Sequence, residues 1–187
     1  QAKPNVLIIT VDDMSADSIG TYGCPIKNIS PHMDGLVRSG LRFQYAHVQV
    51  GNCMPGRNVM WSGLYPHNNQ VEGFYQVSQP RHKHLVDLMK QAGYFTAIMG
   101  KTSHSTPYHP YPWDAIFDTA EDGSNYDKKK PSHIGEATAR GIEAAADAEK
   151  PFCLMVNVSD PHKPFFSGQA DKNQPSMIVA PEGVPVP

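Results

Sequence analysis

Three observations predict an α/β fold with a mostly parallel central sheet and helices on both faces. Strand-like and helix-like stretches alternate along the 187 residues, as they do where crossover connections join parallel strands. The strand candidates are short continuous apolar runs, as expected for strands buried on both faces. Polar stretches rich in Asp, His, Lys and Pro follow them, at the carboxyl ends where open α/β sheets bind ligands.

Residues 5–11 form a β-branched apolar run closed by Asp12-Asp13, and read as a buried strand with carboxylates at its carboxyl end. Ser30-Pro31 predicts a short helix through Val37, with Ser30 as cap, Pro31 at the first helical position and Gly40 as the stop. Residues 41–48 read as the next strand. A helix opens at Pro55 and runs to about Ser62. Residues 84–91 form an amphipathic helix with Leu85, Leu88 and Met89 on one face, ended by Gly93. Residues 94–99 are a strand, 102–132 long loops over the carboxyl edge of the sheet, 134–148 a helix with an Ala-rich inner face, and 151–158 a closing strand. The fold therefore occupies residues 1–166. The prolines at 175, 181, 185 and 187 make 167–187 read as a connection rather than a core element.

Composition narrows the function. With 40% apolar and 18% charged residues this is a globular chain with a core. Its longest apolar runs, 6–11 and 152–156, fall far short of the roughly 20 residues of a spanning helix. Sixteen basic against 18 acidic residues, with one dense basic triplet at Lys128-Lys129-Lys130, argue against a nucleic-acid partner. An opening at Gln1-Ala2-Lys3 without Met reads as a processed end, which points to an exported protein: periplasmic, secreted or lysosomal. The three cysteines, Cys24, Cys53 and Cys153, lack metal-type spacing, and Cys153 reads as a buried small hydrophobe.

Four loops or helix starts carry the chemistry. Asp12 and Asp13 offer hard oxygen ligands for Ca²⁺ or Mg²⁺; their plain alternative is a pair of turn or capping aspartates. Cys53 stands just before Pro55, at a predicted helix amino terminus that favours an anion, and Arg57 projects from the same first turn with a fork of donors. Lys101 and His104 follow a strand directly, and His162 lies in the stiff Asp160-Pro161-His162-Lys163-Pro164 loop after the last one. Lys101 suits an anionic oxygen, His104 could orient the nucleophile or move protons, and His162 could protonate a leaving oxygen. A plain thiol reading is also open, with Cys53 as nucleophile and His104 or His162 as base.

The run Cys53-Met54-Pro55-Gly56-Arg57 resembles the signature of the type I sulfatases. The strand ending in Asp12-Asp13, Gly63-Leu64-Tyr65-Pro66, Gly100-Lys101 and Asp160-Pro161-His162 match that family's amino-terminal domain in order and approximate spacing. The Asp-Pro-His loop is similar to that of heparan N-sulfatases, and Lys101-x-x-His104 is more like iduronate sulfatases. The resemblance implies an alkaline-phosphatase-like fold and hydrolysis of a sulfated carbohydrate or similar O- or N-sulfate. It implies that a formylglycine-generating enzyme converts Cys53 to Cα-formylglycine, that Asp12, Asp13 and modified Cys53 ligate Ca²⁺ or Mg²⁺, and that Arg57, Lys101, His104 and His162 surround the sulfate. It further implies that the remaining metal ligands follow residue 187, so that these 187 residues alone hydrolyse poorly. The alternatives are a phosphonate or phosphate ester hydrolase of the same superfamily and a non-catalytic domain that binds a sulfated glycan. A metal-dependent binding protein using His82, His84 and His104 is a further reading.

Overall fold

The computed structural model of the protein describes residues 3–165; the proline-rich stretch 167–187 lies outside the described residues. In chain order the elements are β1 (Val6–Asp12), α1 (Pro31–Ser39), α2 (Cys53–Ser62), α3 (Pro66–Asn69), α4 (Leu85–Gln91), β2 (Phe95–Met99), β3 (Ala115–Ile116), α5 (Pro131–Asp147) and β4 (Phe152–Pro161), with two single-turn 3₁₀ helices after β1. The chain divides into two compact units. Of the described residues, one unit holds those up to Asp12 with His47–Asp160, and the other Asp13–Ala46 with 161–165.

The first unit is built on a four-stranded sheet in the order β1-β4-β2-β3. β2 runs parallel to both β3 and β4, with Phe95 opposite Phe152 and Met99 opposite Val156. Asn5 accepts from the Phe152 N–H and Thr10 donates to Asn157 at the same sequence offset, so β1 also runs parallel to β4. All carboxyl ends therefore meet at one edge.

Side-chain alternation divides the core into two faces. Ala97, Met99, Leu154 and Val156 pack with Ala137 of α5, Phe117 and Tyr126 on one face; Ile98 and Met155 pack with Trp61 of α2, Ile8, Leu85 and Trp113 on the other. The α5 stripe Ala137, Gly141 and Ala145 is buried, as the Ala-rich face predicts. A Cβ on Gly141 would stand 3.0 Å from the Leu154 methyls, so small residues set how near this helix approaches the sheet. α2 ends at Gly63, whose left-handed backbone (φ 68°) returns its N–H to the Val59 carbonyl.

Two local expectations need correction. Residues 41–48 form no strand: Leu41, Phe43 and Tyr45 are 80%, 67% and 82% exposed. Apolar alternation supplies one face of a strand but not the neighbour that must take up its backbone hydrogen bonds, and none of the described strands pairs with this segment. In α4 the buried residue is Val86, while Leu88 is about half exposed (48%). The helix is only seven residues long and anchors through Leu85 and Val86 at its first turn, which rolls Leu88 outward.

The second unit is tied by side chains. The Ser30 hydroxyl accepts from the Gly20 N–H (2.8 Å) and donates to Asp34 (3.2 Å), which also receives the Thr21 N–H (3.0 Å). Ser30 is thus the residue before α1, as predicted, but its hydroxyl holds the preceding turn rather than capping the helix.

His84, fully buried at the start of α4 with its ring 5.4 Å from that of Tyr111, gives the fold a pH dependence. Burial pushes its imidazole down to about 4 from an ordinary 6.5, against the opposing pull of Asp87. Only the unfolded chain takes up a proton at 6.5, so the contribution is complete above pH 6.5 and is lost as pH falls toward 4. Urea midpoints across that window should fall by the equivalent of about 3 kcal/mol, and His84→Phe should flatten that part of the profile.

Candidate active site

The carboxyl ends of β1, β2 and β4 and the start of α2 place five of the seven predicted residues in one cluster within the first unit. Cys53 is the first residue of α2, and Arg57 stands one turn further on the same face. That turn is tightly constrained: Gly56 donates its N–H to Asn52 (2.8 Å), and a Cβ on Gly56 would stand 2.9 Å from the Val50 carbonyl oxygen. Pro55 contributes no N–H to the first turn, where none is needed for helix bonds.

Arg57 is buried, and each nitrogen of its guanidinium has a defined partner. Nε donates to Cys53 Sγ (3.3 Å), Nη1 to Asn157 Oδ1 (2.5 Å) and Thr10 Oγ1 (3.0 Å), and Nη2 to Asp12 Oδ1 (3.4 Å). Lys101 Nζ meets the other Asp12 oxygen at 2.5 Å. Cys53 Sγ lies 3.5 Å from Asp12 Oδ1 and 3.4 Å from His104 Nδ1. The thiol therefore stands where a guanidinium, an imidazole and a carboxylate converge.

The Asp12 carboxyl is held below its ordinary 3.8. Burial alone would raise it, but the hydrogen bond and charge of Lys101, then the charge of Arg57, outweigh that cost. One carboxylate between two cations leaves an excess positive charge beside Cys53, which suits an anion.

Lys101 arrives through an unusual turn. Gly100 and Lys101 both have left-handed backbones, at φ 71° and 51°. Asp118 fixes the turn by accepting from the Gly100 N–H (2.7 Å) and the Thr102 hydroxyl (2.9 Å), and the Lys101 carbonyl accepts from the N–H groups of His104 and Ser105 (both 3.0 Å). Asn58 of α2 donates its amide to the carbonyls of Met54 (2.9 Å) and His104 (3.1 Å), so the helix bearing Cys53 also carries the His104 loop.

Asp13 and His162 belong to the second unit, where His162 Nε2 lies 3.8 Å from Asp13 Oδ2. Among the described residues no group of three or more His, Cys, Asp or Glu side chains is disposed to hold a metal, and this holds for Asp12, Asp13 and Cys53 as it does for His82, His84 and His104. The cysteines are all free thiols, and burial pushes the Cys153 thiol up to about 11, in keeping with an inert core position. Sequence reasoning missed Thr10, Asn58 and Asn157. Asn157 carried a signal, an amide in an otherwise apolar strand; it is fully buried.

A Cβ on Gly100 would stand 2.5 Å from the Asn157 carbonyl oxygen. Gly100→Ala should therefore cost about 2 kcal/mol or more, read from the urea midpoint, through both the clash and the left-handed backbone.

The family profile described as Sulfatase matches residues 4–177. An ulvan-active sulfatase from Formosa agariphila is 28% identical over 171 residues, covering 91% of this chain and 32% of that protein. An N-acetylglucosamine-6-O-sulfatase from Bacteroides thetaiotaomicron is 27% identical over 174 residues, covering 86% and 31%. The chain thus spans about a third of the length of these curated relatives. A solved structure of an alkaline phosphatase superfamily protein from Vibrio parahaemolyticus superimposes with a TM-score of 0.69 at 18% identity, over 93% of this chain and 44% of that one, and shares the fold.

Proposed function

This chain belongs to the sulfatase family, and from that premise we propose that it carries the nucleophile and anion-binding side of a hydrolase acting on the sulfate esters of carbohydrates. The observation that carries the reading is Cys53 Sγ at the start of α2, within 3.3–3.5 Å of Arg57 Nε, His104 Nδ1 and Asp12 Oδ1. A thiol serving only as a packing residue has no use for that company. The sugar-sulfate activity in the name of the Bacteroides thetaiotaomicron relative supports a sulfated carbohydrate as the substrate class.

Converted by a formylglycine-generating enzyme, residue 53 would supply a hydrated aldehyde as nucleophile, and a bound Ca²⁺ or Mg²⁺ would add positive charge at the sulfuryl oxygens. Asp12 and residue 53 fit part of such a cation site, since both face one point and Asp12 is already ionised and buried. This chain's own residues do the rest. Arg57 Nε donates to the reactive atom at 53 and fixes its direction, while the rest of its fork is spent on Thr10, Asn157 and Asp12, so the guanidinium cannot swing away. Lys101 places its charge on Asp12 and beside the incoming anion. His104 Nδ1 is within reach of the proton at residue 53. The helix start beneath residue 53 adds its amide dipoles to the same anion. His162 is proposed as the donor of the leaving-group proton, and Asp13 as a further oxygen ligand, on the sequence pattern.

Two measurements on the protein as its host makes it test this reading. Peptide mass spectrometry across Cys53 should show the aldehyde in place of the thiol. Turnover of a 6-O-sulfated amino sugar should fall by about 10⁴-fold or more in Cys53→Ala. An intact thiol in a host able to modify it, or preference for a phosphonate ester, would sink the proposal.

A further inference from the structure

Asn157 links the two cations of the site, and we infer that it is a positioning residue that sets Arg57 and the Gly100-Lys101 turn in register with each other. This inference rests on the sulfatase reading for its kinetic consequences. It rests on geometry alone for the linkage itself.

The side chain of Asn157 is fully buried in β4, and all of its hydrogen-bonding capacity is used. Its Nδ2 faces the carbonyls of Met99 (3.0 Å) and Gly100 (2.8 Å), which only accept. That fixes the orientation of the amide: the NH₂ must point to β2, so Oδ1 must point the other way. There it receives Arg57 Nη1 (2.5 Å) and the Thr10 hydroxyl (2.6 Å). One amide thereby joins β1, α2 and the end of β2, the three elements that carry Asp12, Arg57 and Lys101.

Few other side chains can make this bridge. Asp has no donor, and would set a carboxylate oxygen against two carbonyls. Gln is a methylene longer in a site with no spare room. Leu or Val would leave the Gly100 carbonyl, one Arg57 nitrogen and the Thr10 hydroxyl short of partners in a dry interior. The backbone of Asn157 contributes to the same register: its carbonyl oxygen is the atom that a Cβ on Gly100 would strike at 2.5 Å. Both the side chain and the main chain of residue 157 therefore define where the Lys101 turn can lie. The side-chain hydrogen bonds of Asn157 go to Thr10, Arg57, Met99 and Gly100, so its part is to hold Arg57 at the reactive atom and Lys101 at Asp12 simultaneously.

Asn157→Val and Asn157→Thr separate positioning from packing, because the two replacements have nearly the same shape, suit a strand, and differ in one hydroxyl. In the protein as its host makes it, kcat for a sulfated amino sugar should drop about 100-fold in Asn157→Val with KM changed by less than about threefold. Asn157→Thr, which can still accept from Arg57, should recover at least about tenfold of that loss. A second readout needs no turnover: the Arg57 Nε–H order parameter by NMR should fall from the rigid range of about 0.85 toward about 0.6 in Asn157→Val, and only partly in Asn157→Thr. Equal kcat in the two variants, or an Arg57 order parameter unchanged in Asn157→Val, would overturn the inference. If the unaltered protein turned over no sulfate ester, the sulfatase reading would fall, and the Arg57 order parameter would then decide the positioning role alone.

Discussion

Asp12 presents its two carboxylate oxygens to two different cations, Arg57 at 3.4 Å and Lys101 at 2.5 Å, in a place only 4% exposed to solvent. Charges this dry have surrendered much of their hydration, and replacing such a group with apolar residues is often neutral or even stabilising. Stability is therefore a poor explanation for the cluster. Its cost makes sense where the charges act on something, and the thiol of Cys53 stands against two of the three groups. Removing one partner would be worse than removing all, since it would leave an uncompensated charge in the interior. The three residues hence act as one unit, and the rest of the first unit can be read as the apparatus that brings them together.

That apparatus is mostly backbone. A parallel sheet delivers the carboxyl ends of β1, β2 and β4 to one edge, which brings Asp12, Gly100 and Asn157 close without any loop having to reach for them. The Lys101 ammonium could not meet Asp12 from an ordinary continuation of β2. Two successive left-handed residues turn the chain there, and for Lys101, which carries a Cβ, that conformation costs of order 1 kcal/mol. Asp118, the Asn157 amide and the two N–H groups on the Lys101 carbonyl hold the turn against this strain. On α2 the corresponding device is Gly56, where the absence of a Cβ lets the helix start pass under the Val50 carbonyl and sets the height of Cys53.

How much of this could be read from the sequence depends on the range of the interaction. The α/β class, β1, β2, β4 and the helices read from 31, 55 and 134 were legible because apolar runs, Pro at a helix start and Gly past a helix end are local signals, although the last two helices begin two and three residues earlier, at Cys53 and Pro131. Residues 41–48 misled because alternation of apolar side chains says nothing about whether a hydrogen-bonding neighbour exists. The two-residue strand β3 has no periodicity to detect, and owes its existence to pairing with Ala97 and Ile98. At the site, Cys53, Arg57, Lys101 and His104 were legible as charged or nucleophilic residues just after strands or at a helix start. Thr10, Asn58 and Asn157 were not, because their part is to satisfy groups some 45 to 150 residues away in the chain. A neutral hydrogen-bonding side chain in an apolar strand signals that some partner exists, never which.

A clamp of this kind also explains why residue 53 sits on a helix rather than on a strand. A strand residue turns its side chain to one face of the sheet, toward packed apolar neighbours. The first residue of a helix lies where the chain has just left that layer, with amide dipoles beneath it and a companion four residues on that shares its face. Arg57 is that companion, and because it is locked by Thr10, Asn157 and Asp12, its Nε offers the atom at position 53 one direction only. Held this way, the side chain at position 53 has lost its rotational freedom before any anion arrives, and under the proposed function the ordering cost that a nucleophile would bear at the moment of attack has been met by the folding of α2 against the sheet.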